Sequence, residues 1–161
     1  MDFVARPLMQ ANQSFKTADH LAYITYPVVN EKKLLMVVIQ NIYTTLNNAM
    51  DALLAHYHAY KQISYIPQDF EGKAEMFRSA LFKRHQLDPS LYDFFLEIDE
   101  IIRHHQRSAI NFVRKDSFII ASDNFKLKTV TIEKVKSYLQ QTKLFLDTIN
   151  GVLAQRDRGF S

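Results

Sequence analysis

Residues 30–60, NEKKLLMVVIQNIYTTLNNAMDALLAHYHAY, set Leu34/Leu35, Val38/Ile39, Ile42/Tyr43, Leu46, Ala49/Met50, Leu53/Leu54 and Tyr57 at helical spacing without one Gly or Pro. An apolar stripe sustained over so many turns is buried only if several other helices lie along it. At 1.5 Å per residue such a helix runs about 45 Å. The reading takes it as the spine of a mostly α fold.

Upstream of the spine the sequence predicts a short helix over 17–26, with Thr17 as cap, Asp19 in the first turn and Pro27 as the stop. Asn30 is read as the cap of the spine and Glu31 as its first-turn acid. Downstream, residues 64–70 with Pro67 read as a loop, and Phe70, Ala74, Phe77 and Leu81 mark a third helix ending near Gln86. Asp88-Pro89 is a start signal for a fourth helix, traced by Leu91, Phe94/Phe95, Ile98, Ile101/Ile102 and His105 to about Arg107.

Beyond Ser108 the period changes from helical to alternating. Ile110, Phe112, Phe118 and Ile120 interleave with polar residues around a Lys115-Asp116 turn, which reads as a β-hairpin. Phe125, Leu127 and Thr129 alternate as well and leave a third strand open. Thr131 and Glu133 open the last helix, whose stripe is Val135, Tyr138/Leu139, Thr142, Phe145/Leu146, Ile149 and Val152/Leu153, with 155–161 as a frayed tail. The expected architecture is one domain over 1–161, an antiparallel bundle of five helices with a long central helix and a small β-hairpin between the fourth and fifth.

Composition agrees with that class. Of 161 residues 47% are apolar, with twelve Phe, eight Tyr, no Trp and only three Gly, so the chain can fill an aromatic core and has few residues for the tight turns of an all-β fold. Zero Cys removes disulfides, thiolate metal sites and cysteine nucleophiles. Residues 1–16 lack the basic start and apolar run of a signal peptide, and the longest purely apolar run, 34–39, falls far short of the roughly 20 residues of a membrane span. The reading is a cytoplasmic protein with no membrane contact and no cofactor.

The formal charge of +3 is modest, so attraction to phosphate depends on where the charges sit. Between residues 101 and 128, six bases (Arg103, Arg107, Arg114, Lys115, Lys126, Lys128) face two acids, Asp116 and Asp123. A bundle end plus a hairpin could gather them into a basic corner that meets RNA, DNA or an acidic partner, with Phe118 and Phe125 between the bases. The competing reading is a solvated, mixed surface with both rings buried against the bundle.

The fourth helix carries Asp93, Glu97, Asp99 and Glu100 ahead of Arg103, His104, His105 and Arg107. Acids early and bases late suit the helix macrodipole, and Asp99-Arg103 and Glu100-His104 read as exposed i,i+4 pairs in preference to a metal or acid/base site. A di-metal bundle needs Glu-x-x-His on two helices, which this chain lacks, and His56 and His58, two apart, point in different directions. No metal is expected. His105 falls on the apolar stripe beside Ile101 and Ile102, as a half-buried imidazole near the start of the hairpin.

Arg78 and His85 lie seven positions apart in the third helix, nearly two turns, and so share a face with Leu81 and Phe82 between them. An Arg-x4-6-His spacing in an all-helical domain of this length resembles the HEPN domains, helical bundles that often dimerise and in some families cut RNA without a metal. The resemblance implies that Arg78 holds phosphate and that His85 is the general acid or base for attack by the RNA 2′-hydroxyl. The chain departs from active members in having Ser79 after the Arg, in the motif's place within a middle helix, and in the inserted hairpin.

A second resemblance covers most of the chain. Ala18-Asp19-His20 through Tyr26-Pro27, Lys33-Leu34-Leu35, and His105-Gln106-Arg107-Ser108 into Phe112-Val113-Arg114-Lys115 and Phe118-Ile119-Ile120 look like a group of small, mostly archaeal proteins without an assigned activity. It carries over no catalytic residue. The functional expectation is therefore a non-catalytic interaction module working through the basic corner, with a metal-independent ribonuclease as the alternative. Residual aromatic surface on a spine longer than its neighbours favours a homodimer through helix packing.

Overall fold

The computed structural model describes residues 2–107, 111–114, 117–121 and 127–158. The expected spine is α3 (Lys33–Ala59), an unbroken helix about 40 Å long. Its stripe is buried as the spacing requires: Leu35, Val38, Ile39, Ile42, Leu46, Ala49, Met50, Leu53 and Leu54 are all fully enclosed.

The rod before it is longer than the sequence predicts. α1 (Ala5–His20) passes through a π-helical turn (Leu21–Thr25) into α2 (Tyr26–Val29) with helical backbone angles throughout. Asp2 starts it, its Oδ1 accepting the backbone N–H of Val4 at 2.9 Å and of Ala5 at 3.2 Å. Thr17 sits inside the helix, its hydroxyl bonded back to the Gln13 carbonyl. Pro27 does not stop the rod. Its ring and missing N–H conflict with a tight α turn, and the wider π turn, in which the Tyr26 N–H reaches back to the Leu21 carbonyl, accommodates both. Asn30 ends this rod instead of opening the next, adopting the left-handed conformation (φ 54°) with its N–H on the Tyr26 carbonyl at 2.8 Å. The buried Lys32 ammonium fastens the corner, donating to the Tyr26 hydroxyl at 3.0 Å and to Asn30 Oδ1 at 2.7 Å.

The first rod lies against α3, and its fully buried Ala11 and Ala18 in α1 and Ala22 in the π-helical turn are small enough for the backbones to approach closely. α3 closes with Lys61 left-handed (φ 58°), the Gln62 N–H on the Tyr57 carbonyl and the Lys61 N–H on the His58 carbonyl. Asp69 then caps α4 (Phe70–Met76), which continues as a π-helical stretch (Phe77–Leu81) and ends in turns at a left-handed Gln86. Asp88 receives the Ser90 N–H at the start of α5 (Ser90–Arg107).

The expected hairpin is β1 (Asn111–Arg114) with β2 (Ser117–Ala121), and β3 (Leu127–Thr131) adds the third antiparallel strand, giving the order β1-β2-β3. The Lys115-Asp116 turn lies outside the described residues. Phe118 pairs with Val113 on one side and Val130 on the other, and both Phe118 and Val130 are buried. The Thr131 hydroxyl accepts the Lys134 N–H at the start of α6 (Ile132–Arg158), which reaches past the point where fraying is expected.

α6 runs antiparallel to α1, because Asn12 exchanges amide hydrogen bonds with Asn150 while Lys136 lies over the Tyr23 ring. Among the described residues the buried apolar side chains other than Ile119 form one contiguous core. Its centre is aromatic, with Phe95 against Phe145 at 4.9 Å and Phe77 against Phe145 at 5.7 Å between ring centres, so the π-helical stretch, α5 and α6 share one cluster.

Candidate functional site

Arg78 and His85 have separate partners. Arg78, on the π-helical stretch, forks onto Glu75: Nε donates to Oε2 at 3.1 Å and Nη2 to Oε1. Its guanidinium lies 5.2 Å from the ring centre of Tyr92 at the start of α5, and the Tyr92 hydroxyl donates to the same Glu75 at 2.9 Å. The Arg78 and Tyr92 hydrogen bonds hold the Glu75 carboxyl below the usual carboxylate range, and Glu75 in turn pushes the Tyr92 phenol up.

His85 follows the last helical turn, where the chain is no longer a regular helix, and is drawn toward α3. Its Nε2 lies 2.6 Å from the Tyr57 hydroxyl. Arg84 lies over the Tyr57 ring at 4.8 Å and donates to Gln62 at 2.8 Å, while the His56 ring meets Tyr57 and Tyr60 edge-on. Burial, then the neighbouring Arg84 and His56, lowers the His85 pKa from its ordinary value, and burial raises that of Tyr57. Both shifts favour the neutral forms of the two groups, which share one hydrogen bond across this contact. Among the described residues no contact joins Arg78 to His85, and the cation beside the imidazole is Arg84.

The basic corner falls largely outside the described residues. Lys115 and Lys126 lie beyond them entirely, and of Arg107, Arg114 and Lys128 the backbone is described. In the strand register Arg114 pairs with Ser117, and Lys128 with Ile120. Arg103 is described in full: its Nε meets Asp99 Oδ2 at 3.1 Å while 45% of its side chain stays exposed.

That i,i+4 pair differs from its expectation in one respect, because Asp99 is buried at 6% exposure. Burial raises its pKa, with Glu71 and Asp69 pushing the same way against Arg103. His104 Nε2 lies 3.8 Å from Glu100. His105 is half-buried, its ring edge-on to Phe118 at 5.9 Å, which ties the end of α5 to β2. Among the described residues no three His, Asp or Glu side chains converge as a metal site, and no helix is long and apolar enough to cross a membrane.

Sequence reasoning missed Tyr57, Arg84, Glu75 and Tyr92 as partners. The Glu75-Arg78 spacing of three was legible as a helix pair. The Tyr57 contact with His85, 28 residues away, has no local signal. No family model, curated protein or solved structure matches the chain.

Proposed function

We propose that the chain is a non-catalytic helical interaction module that meets a polyanion, RNA foremost, through the basic segment at residues 101–128. One observation carries the non-catalytic half: the two residues a nuclease would bring to one phosphate are engaged elsewhere, Arg78 by Glu75 and Tyr92, and His85 by Tyr57. The polyanion half rests on six bases against two acids in that segment, a surplus of four. Neutralising about four phosphates of a single strand gives a slope of about −3 for log affinity against log salt concentration. Anisotropy of a labelled single-stranded RNA titrated across a salt series tests this; affinity indifferent to salt would defeat it.

The competing reading is a metal-independent ribonuclease using Arg78 and His85, favoured by the His85 pKa, which burial lowers. Incubating labelled RNA with the protein in EDTA distinguishes the two. On the interaction reading no cleavage occurs, whereas cleavage abolished by Arg78→Ala would establish the nuclease. Self-association through helix packing belongs to the same proposal, and sedimentation of a monomer at high micromolar concentration would remove it.

A further inference from the structure

A surface groove of about 560 Å³ lies between the loop after α3 and the outer side of α4, lined among others by Tyr65, Ile66, Pro67, Asp69, Glu75 and Met76. Ile66 and Met76 are half-buried and packed on the core, so the groove has an apolar part, where the Met side chain adapts readily to what lies on it. Tyr65 stands at the rim with 61% of its surface exposed. Gly72 lines the groove where a Cβ would meet Asp69 Oδ1 at 2.6 Å and Pro67 Cβ at 3.0 Å, so the loop and helix are fitted closely at that point.

The charge of this groove is opposite to that of the chain. Asp69 and Glu75 line it and no Lys or Arg does, in a protein whose net charge is +3. Glu75 is shared with Arg78, but among the described residues neither Asp69 nor the adjacent Glu71 forms an ion pair. The negative field extends inward, since both carboxylates act on Asp99 and Asp69 also acts on Tyr43.

We propose that this groove docks a partner segment carrying an arginine or lysine side chain between apolar residues. The aliphatic stem of such a side chain lies on Ile66 and Met76 while its cation meets the Asp69 carboxylate and the Tyr65 ring. An acidic or uncharged segment lacks the complement to Asp69. A groove of this size holds a few side chains, which fits a short linear segment better than a folded surface. No residue of the basic segment lines this groove, so RNA binding through that segment neither supports nor harms the proposal.

The probe is a capped pentapeptide with one arginine flanked by leucines, titrated into 15N-labelled full-length protein, beside the same peptide with citrulline, which keeps the shape and loses the charge. Amide shifts are expected at residues 65–79, with the arginine peptide binding about fivefold more tightly than the citrulline one. Tyr65→Ala and Asp69→Asn each weaken it by about fivefold, the latter keeping an oxygen for the Gly72 N–H so that α4 stays capped. Equal binding of both peptides, shifts centred elsewhere, binding unaffected by either variant, or no shift at millimolar peptide would overturn the proposal.

Discussion

The phenol of Tyr57 is one link between the end of α3 and the turn that follows the π-helical stretch, through its 2.6 Å contact with His85. Tyr57→Phe removes the hydroxyl and leaves the half-buried His85 Nε2 without this partner, at an expected cost of about 1 kcal/mol in urea unfolding. An unchanged midpoint would mean that the contact contributes nothing. His85 also sets a pH dependence. Its folded pKa lies below the ordinary 6.5, so the unfolded chain takes up the proton first. The stability from this group is whole above pH 6.5 and is lost as pH falls from there through the folded value. His85→Gln should flatten that part of the stability curve; an identical slope in the variant would assign the dependence to other groups.

Among the described residues, three that follow helical segments are left-handed and none is glycine: Asn30, Lys61 and Gln86 take φ of 54°, 58° and 54°. A chain with three Gly has few to place at such ends, and the left-handed conformation costs a residue with a side chain about 1–2 kcal/mol. Gln86→Gly is therefore expected to stabilise the protein by about 0.5–1 kcal/mol, after the added entropy of the unfolded chain is subtracted, and a lower melting temperature would contradict this. Ala18→Leu has the opposite sign. It forces α1 away from α3 at a fully buried contact and should cost about 1–3 kcal/mol, read by thermal unfolding. The same Ala residues explain why the first rod was underread: Val4, Ala11 and Ala18 recur every seven residues, but Ala is a faint apolar marker beside the Leu and Ile of α3. Pro27 misled for a different reason, since its usual reading as a helix stop assumes α geometry and not a π turn before it.

Across the whole molecule, the bundle and its inserted strands were legible because the period changes from 3.6 to 2 and back are carried by large apolar residues whose burial dominates folding. The aromatic cluster joins Phe70, Phe82, Phe95 and Phe145, side chains already on the sequence stripes or beside them, but which ring meets which depends on helix placement. The candidate site was less legible. Spacing on one helix suggests that Arg78 and His85 face together, whereas the change to π geometry and then to turns sends one toward Glu75 and Tyr92 and the other toward Tyr57. A general lesson follows for short motifs: sequence distance reports a shared face only while the helix stays regular. The interaction reading and the nuclease reading assign RNA to different residues. The most direct measurement is the set of amide shifts in 15N-labelled protein on titration with a short single-stranded RNA. Shifts concentrated between residues 101 and 131, with Arg78 and His85 undisturbed, are expected; shifts centred on Arg78 and His85 would contradict the interaction module and favour the nuclease.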